Sequence, residues 1–355
     1  MSLDRIRLAS LHDKVISAEE ASAFIEDGMT VGMSGFTRAG EAKAVPLALV
    51  KRAHTNPLKI TLITGASLGN DLDKQLTEAG VLARRLPFQV DNTLRKAINN
   101  GEVMFIDQHL SETVEQMRNL QLKKPDVAII EAVAITEDGG IIPTTSVGNS
   151  ASFAIFAEKV IVEINTNLSP AFEGLHDIYI PTYRPTRQPI PLTQVDERIG
   201  THAINIDPAK IVGIVINNDL HDSPSTVTAP DDETQGIADH LIAFFEKEVA
   251  EERLPKNLGP LQAGIGSIAN AVLTGLKDSN FEDLVMYSEV LQDCTFELID
   301  AGKMKFASGS SITLSAKYGE KVFNNLEAYK DKLVLRPQEI SNHPELVRRL
   351  GIIGI

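Results

Sequence analysis

Short apolar runs rich in Val and Ile recur along the chain, and most polar residues fall between them. They are "TVGMSG" from Thr30, "KITLIT" (59–64), "EVMFID" (102–107), "DVAIIEA" (126–132), "KVIVEI" (159–164) and "KIVGIVI" (210–216). Continuous apolar runs of this length, without alternation, suit strands buried on both faces of a largely parallel sheet. Helix-like segments separate some of them, such as 111–122 and 150–158. Ser17 stands three residues before Glu20, the capping-box spacing, and Gly28 follows Asp27, which predicts a capped helix from Ser17 to Asp27. Pro46 fits the first turn of a second helix. The pattern as a whole predicts an α/β fold.

Two stretches break the alternation. Pro170 to Pro191 includes "YIPTYRPTRQPIP", which cannot form a regular element and predicts a long excursion over the surface. The segment 218–236, "NDLHDSPSTVTAPDDETQG", is polar and rich in Pro, Ser and Asp, and reads as an interdomain linker. With 355 residues, the chain is long enough for two domains, each with its own core. The expected division is an N-terminal α/β domain over 1–222 and a C-terminal one over 236–355.

Composition narrows the function classes. Hydrophobic residues make up 43% and charged residues 23%, the balance of a soluble globular protein. A net charge of -14 argues against nucleic-acid binding, which needs clustered Lys and Arg. Cys294 is the only cysteine, which rules out an internal disulfide framework and points to a reducing compartment, the cytoplasm. No apolar run approaches the ~20 residues of a membrane span. The histidines show no metal-ligand spacing, so no metal site is expected.

The chemistry gathers in two neighbouring stretches. In "LQAGIGSIANAVL", Gly264, Gly266 and Ser267 open a helix whose Ile268, Ala271, Val272, Gly275 and Leu276 share one face. Backbone N–H groups at such an opening suit an anion, or a carbonyl oxygen as it becomes negative. In "VMYSEV", Glu289 follows an apolar strand directly after Ser288. "GIGSIA" also fits the dinucleotide fingerprint, with Glu289 about where a ribose-binding acid belongs, which would make the protein an NAD-dependent oxidoreductase. Alternatively Glu289 is a nucleophile and the loop stabilises the charge formed when it attacks. Spacing alone leaves both open. Cys294, with no basic neighbour in sequence, reads as a small buried residue. His221, Asp222 and Ser223 read as part of the linker.

Five motifs, "GMSGFTRAGEAKAVP", "LGPLQAGIGSIANAVL", "MYSEVLQD", "FASGSSITLS" and "RPQEISNHPE", together resemble the class I coenzyme A transferases. The likeness is to the branch containing acetyl-CoA hydrolases and succinyl-CoA:acetate CoA-transferases. It implies two related α/β domains with the active site where they meet. It makes Glu289 the catalytic carboxylate, passing through an acyl-glutamyl anhydride and a glutamyl-CoA thioester. It places the Ile265 N–H near the reacting carbonyl, Gly264 to Ile268 along the CoA, and the Asn342 amide as a second hydrogen-bond donor. Ser67 and the loop "GFTRAGEAKAVP" would approach the site from the N-terminal domain. The substrates implied are acetyl-CoA or another short acyl-CoA and a small carboxylate such as acetate, propionate or succinate, with acyl-CoA hydrolysis as a side activity. No permanently bound cofactor is implied, and a homodimer is. Family members continue beyond the position of "LGIIGI", so a C-terminally truncated member with an incomplete second domain is expected, one outcome being a catalytically silent fragment.

Overall fold

The computed structural model describes residues 3–226 and 231–355. Its first sheet is built from β1 (Thr30–Met33), β2 (Ile60–Ile63), β3 (Leu82–Leu86), β4 (Met104–Phe105), β5 (Val127–Ile135), β6 (Ile141–Pro143), β7 (Lys159–Asn165) and β8 (Ile211–Asn217). The order is β4-β3-β2-β1-β5-β7-β8, all parallel, with β6 turned back antiparallel on β5. The helices of this half are α1 (Ala18–Ser22), α2 (Ala44–Ala53), α3 (Leu72–Glu78), α4 (Asn92–Asn99), α5 (Thr113–Arg118) and α6 (Ser150–Phe156). Parallel neighbours need crossovers, and helices supply several of them. All nine residues of β5 are buried, as befits a central strand that is apolar throughout except at Glu131.

The second half contains β9 (Pro260–Gln262), β10 (Leu284–Tyr287), β11 (Val290–Leu291), β12 (Met304–Gly309), β13 (Ser311–Ile312), β14 (Leu333–Leu335) and β15 (Ile353–Gly354). It also holds α7 (Asp232–Ala250), α8 (Ser267–Asp278), α9 (Asp293–Asp300), α10 (Ala316–Phe323), α11 (Gln338–Ser341) and α12 (Pro344–Leu350). Its main sheet runs β14-β12-β10-β9-β15, also parallel. In each sheet the opening strand lies inside, three later strands add outward on one side, and the next lies on the other. The two sheets thus follow one strand plan. Pro260 does not prevent a strand, because it is the first residue of β9, where a missing N–H is tolerated.

Several local expectations need correction. The capping box at Ser17 and Glu20 forms, but α1 ends at Ser22. Arg52 donates to the carbonyls of Ser22 and Ile25, taking acceptors that a longer helix would use. The predicted strand 102–107 shrinks to the two residues of β4, at the sheet edge. β3 had no apolar signature because it carries Arg84 and Arg85; Arg85 is nevertheless fully buried, bonded to Asp73 at 2.8 Å. The proline-rich excursion is not confined to the surface. Ile190, Leu192 and Val195, in and just past it, are buried against Tyr287, Ile340 and Leu346 of the second half. The segment 218–236 is not a free linker either: α7 begins at Asp232, Asp222 pairs with Lys43 at 2.7 Å, and the Ser225 N–H donates to Leu314 O at 2.8 Å. Its residues 227–230 lie outside the described residues.

The halves are joined by backbone as well as side chains. Ser146 pairs antiparallel with Ser311, the Val147 N–H donates to Ser310 O at 2.9 Å, and the Ile312 N–H donates to Thr145 O at 2.8 Å. Arg336, fully buried, pairs with Asp177 and donates to Ser308 Oγ at 2.9 Å. This seam fixes the position of the turn that carries Glu289.

Candidate active site

Glu289 lies at the bend between β10 and β11. Its carbonyl accepts from the N–H groups of Ser310 (2.8 Å) and Ser311 (3.2 Å), at the corresponding bend between β12 and β13. Two parallel strands therefore break step together, and the side chain is turned out of the sheet at the seam. The carboxylate is half-buried, and Asn342 Nδ2 donates to its Oε1 at 2.8 Å. Burial pushes the Glu289 carboxyl above its ordinary pKa, and the hydrogen bond from Asn342 opposes that rise.

Asn342 is delivered by α11, a helix of four residues too short to be stable alone. Three buried contacts hold it. Glu339 accepts a two-pronged ion pair from Arg118 of α5, both bonds 2.6 Å. The Tyr287 hydroxyl, at the end of β10, donates to Ile340 O at 2.8 Å. Gln338 Nε2 donates to Gly65 O (3.0 Å) and Leu110 O (2.9 Å) of the first half. Sequence reasoning did not single out Gln338; its signal is the motif shared with Asn342, one helical turn earlier. Gln338 Oε1 and Asn342 Oδ1 are buried without a partner among the described residues, as expected of a site with acceptors left for a ligand. Phe36, Ala66 and Val290 form a small buried apolar cluster beside this seam.

The glycine loop is tied to the same bend. The Ala263 N–H donates to Ser288 Oγ at 3.4 Å, Ser288 Oγ donates to Ala263 O at 3.2 Å, and Gln292 Nε2 donates to Gly264 O at 3.1 Å. Loop and carboxylate thus share anchors on both sides of Glu289. Gly266 has φ +152°, a conformation that favours glycine, and a Cβ there would meet nothing within 4 Å, so the loop faces open space. Ile265, Gly266 and Ser267 line a cleft of about 190 Å³ with Val290, Gln292 and Thr313. Ile268 departs from its predicted place on the packed face of α8: it is 46% exposed, in the first turn of the helix, whereas Ala271, Val272 and Leu276 are buried. Ser67 is buried, and its carbonyl accepts the Arg38 N–H at 3.1 Å. Among the described residues its side chain makes no hydrogen bond to Glu289 or Asn342. Cys294 is buried, with its thiol pushed up to about 12 by burial, which suits a packing role.

A second set of buried carboxylates lies in the first half. Lys43 Nζ pairs with Glu131 and with Asp222 (2.7 Å) and donates to Glu41 O (2.7 Å). Thr144 Oγ1 donates to Glu131 (2.7 Å), and Thr145 Oγ1 and the Gly40 N–H donate to Asp222 (2.6 and 3.1 Å). Burial opposes the charge on Lys43, but Asp222 and Glu131 hold its pKa well above the ordinary value. Burial, with Asp222 nearby, pushes Glu41 up to about 7. Gly40, Glu41 and Lys43 belong to the loop expected to approach the site, whereas Glu131, Thr144 and Thr145 were not singled out and Asp222 was read as linker.

The chain is similar to known proteins in sequence and in fold. Residues 2–216 match the acetyl-CoA hydrolase/transferase N-terminal domain. A succinyl-CoA:acetate CoA-transferase of Clostridium kluyveri is 45% identical over 353 residues, covering 99% of this chain and 65% of that protein. An acetyl-CoA hydrolase of Schizosaccharomyces pombe is 44% identical over 362 residues, covering 99% of this chain and 69% of that protein. The chain thus spans about two thirds of the length of these relatives. RipA from Yersinia pestis shares the fold, with a TM-score of 0.71 at 17% identity over 97% of this chain and 73% of that one. So does a 4-hydroxybutyrate CoA-transferase from Porphyromonas gingivalis, with a TM-score of 0.61 at 17% identity over the same shares. Succinyl-CoA:acetate transfer and acetyl-CoA hydrolysis, the activities of the two curated relatives, give no support to the dinucleotide reading of "GIGSIA".

Proposed function

Starting from a chain that belongs to the acetyl-CoA hydrolase/transferase family, we propose that it moves coenzyme A between small carboxylic acids, with Glu289 as the nucleophile. The observation that carries this reading is the half-buried Glu289 carboxylate, held by the Asn342 amide at 2.8 Å and tied to the glycine loop through Ser288 and Gln292. Partial burial strips water from the carboxylate and raises its reactivity toward an electrophile.

The carboxylate attacks the thioester carbonyl, and CoA leaves as its thiolate, giving an acyl-glutamyl anhydride. The thiolate then attacks the glutamyl carbonyl and expels the first acid, giving a glutamyl-CoA thioester. An acceptor carboxylate attacks that thioester, and the returning thiolate attacks the acyl carbon, regenerating Glu289 and a new acyl-CoA. Each attack develops an oxyanion, which the Ile265 N–H and the Asn342 amide are suited to receive. Water in place of the acceptor gives hydrolysis, so exclusion of water decides between the two outcomes. Gly264 to Ile268 line the path of CoA in this reading, and Ser67 supports the loop opposite. No permanently bound cofactor is invoked. A homodimer and a cytoplasmic location complete the proposal, the location supported by the single cysteine; among the described residues no helix is long and apolar enough to cross a membrane. The domain division, an N-terminal unit to residue 222 and a second from 236, is supported by the two sheets with their shared strand plan.

Incubation of the protein with acetyl-CoA and succinate tests the reading. Succinyl-CoA and acetate should form, and Glu289→Ala should abolish their formation; transfer that survives the substitution in full would overturn it.

A further inference from the structure

Phe36 and Ala39 exchange backbone hydrogen bonds of 3.0 and 3.3 Å, closing a two-residue turn with Thr37 and Arg38 at its tip. Their φ angles are +51° and +64°. Both central positions of such a turn call for positive φ, where Asn-Gly is the relaxed choice, and an arginine there is strained. The turn cannot relax, because it is fastened on every side. The Arg38 N–H donates to Ser67 O (3.1 Å), Thr37 O accepts from Thr313 Oγ1 of the second half (3.1 Å), Ala39 O accepts from Ser146 Oγ (2.9 Å), and the Gly40 N–H donates to Asp222 (3.1 Å). Backbone strain held this rigidly commonly accompanies a side chain with a task.

That side chain is free to perform one. Arg38 is exposed, and among the described residues its guanidinium makes no hydrogen bond or ion pair. It lines the cleft of about 190 Å³ that contains Ile265, Gly266 and Ser267, and among the described residues lining it Arg38 is the only charged one; the other polar ones are hydroxyls and amides. On a chain with net charge -14, an unpaired arginine facing an otherwise neutral cleft makes a local site for an anion.

We propose that Arg38 anchors a substrate oxyanion in this cleft, either a phosphate of acyl-CoA or the carboxylate of the acid that exchanges with it. Both present paired oxygens to the fork of a guanidinium. The assignment rests on the CoA-transfer reading and deepens it by naming what holds the substrate's charge.

The test compares wild type with Arg38→Ala and Arg38→Gly in steady-state transfer from acetyl-CoA to succinate, and from acetyl-pantetheine, which has no phosphate. Binding of CoA to each protein is measured by calorimetry, and thermal unfolding is recorded alongside. Loss of a charge-assisted contact should raise one KM about 10-fold. A rise for acetyl-CoA that disappears with acetyl-pantetheine identifies a phosphate; a rise for succinate with either thioester identifies the carboxylate. Arg38→Gly should unfold at the same temperature as wild type or higher, because glycine relieves the strained φ, which separates lost binding from lost structure. Unchanged KM values and CoA affinity in both variants overturn the anchor alone. A wild type that neither binds CoA nor transfers it contradicts the functional reading and removes the anchor with it.

Discussion

Glu131 and Glu289 are both carboxylates taken out of water, in different halves of the molecule, and their surroundings differ sharply. Glu131 is fully buried, paired with the Lys43 ammonium, and bonded by Thr144. Glu289 is half-buried, has no cation paired with it among the described residues, and accepts one side-chain hydrogen bond, from Asn342. A buried charge with a paired counter-charge is held in place, and its removal leaves the partners exposed to the full cost of desolvation. A carboxylate with a single amide donor keeps lone pairs for an incoming carbonyl. The first arrangement fastens 222 to the first half; the second leaves a group ready to react.

The largest effect that could break this contrast is on activity. Glu289→Ala should lower transfer by ~10³-fold or more, as removal of a nucleophile does, with an unchanged far-UV dichroism spectrum. Lys43→Met should do the reverse. It should cost about 3–5 kcal/mol of stability in denaturant titrations by leaving buried Glu131 and half-buried Asp222 without their cation, and the loss should deepen as pH rises and Glu131, pushed up to about 8 by burial, ionises. A Lys43→Met midpoint equal to that of wild type would show that the cluster is not a structural tie.

Asn342→Ala should reduce kcat by roughly 10- to 100-fold, the range for one donor to developing charge, with a smaller change in KM. Since the Asn342 bond lowers the Glu289 pKa, the rising limb of the pH–rate profile should move to higher pH in this variant. An unmoved profile would mean that Asn342 only packs against the carboxylate.

The smallest effect concerns stability at Glu289 itself. Burial raises its folded-state pKa above the unfolded value, so the folded chain holds the proton to higher pH. Stability from this group is therefore greatest below the unfolded pKa and falls as pH rises through the folded one. Glu289→Gln should accordingly unfold at a higher temperature than wild type at pH 8, and the gap should close on acidification. A gap that widened on acidification would reverse the assigned sign.

The sequence made the central strands, the glycine loop and Glu289 legible, since each depends on local pattern: short Val- and Ile-rich runs, a Gly-rich helix opening, an acid after a strand. Arg85 in β3 was not legible, because a buried arginine is tolerated only through partners from elsewhere in the fold, here Asp73 of α3 and the carbonyl of Ala66. The packing of Ile190 and Leu192 against Tyr287 and the pairing of Asp222 with Lys43 depend on contacts between distant parts of the chain. Proline and polar composition marked both segments as irregular, but did not show that α7 begins at Asp232 within the second, nor that the described residues of both are fixed in place. At the site, Asn342 was legible only through its motif, and its 2.8 Å bond to Glu289 bridges 53 positions of sequence. Arg38 lay within a quoted motif, but its strain appears only once Phe36 and Ala39 are seen to close a turn.

The central claim is that Glu289 becomes covalently modified during turnover. Borohydride reduction of the protein after treatment with acetyl-CoA, followed by peptide mass spectrometry, tests it most directly. The account predicts reduction of a thioester at Glu289, leaving the side chain as the corresponding alcohol, with no such product in protein not treated with acetyl-CoA. Modification at another residue, or none during active turnover, would contradict it.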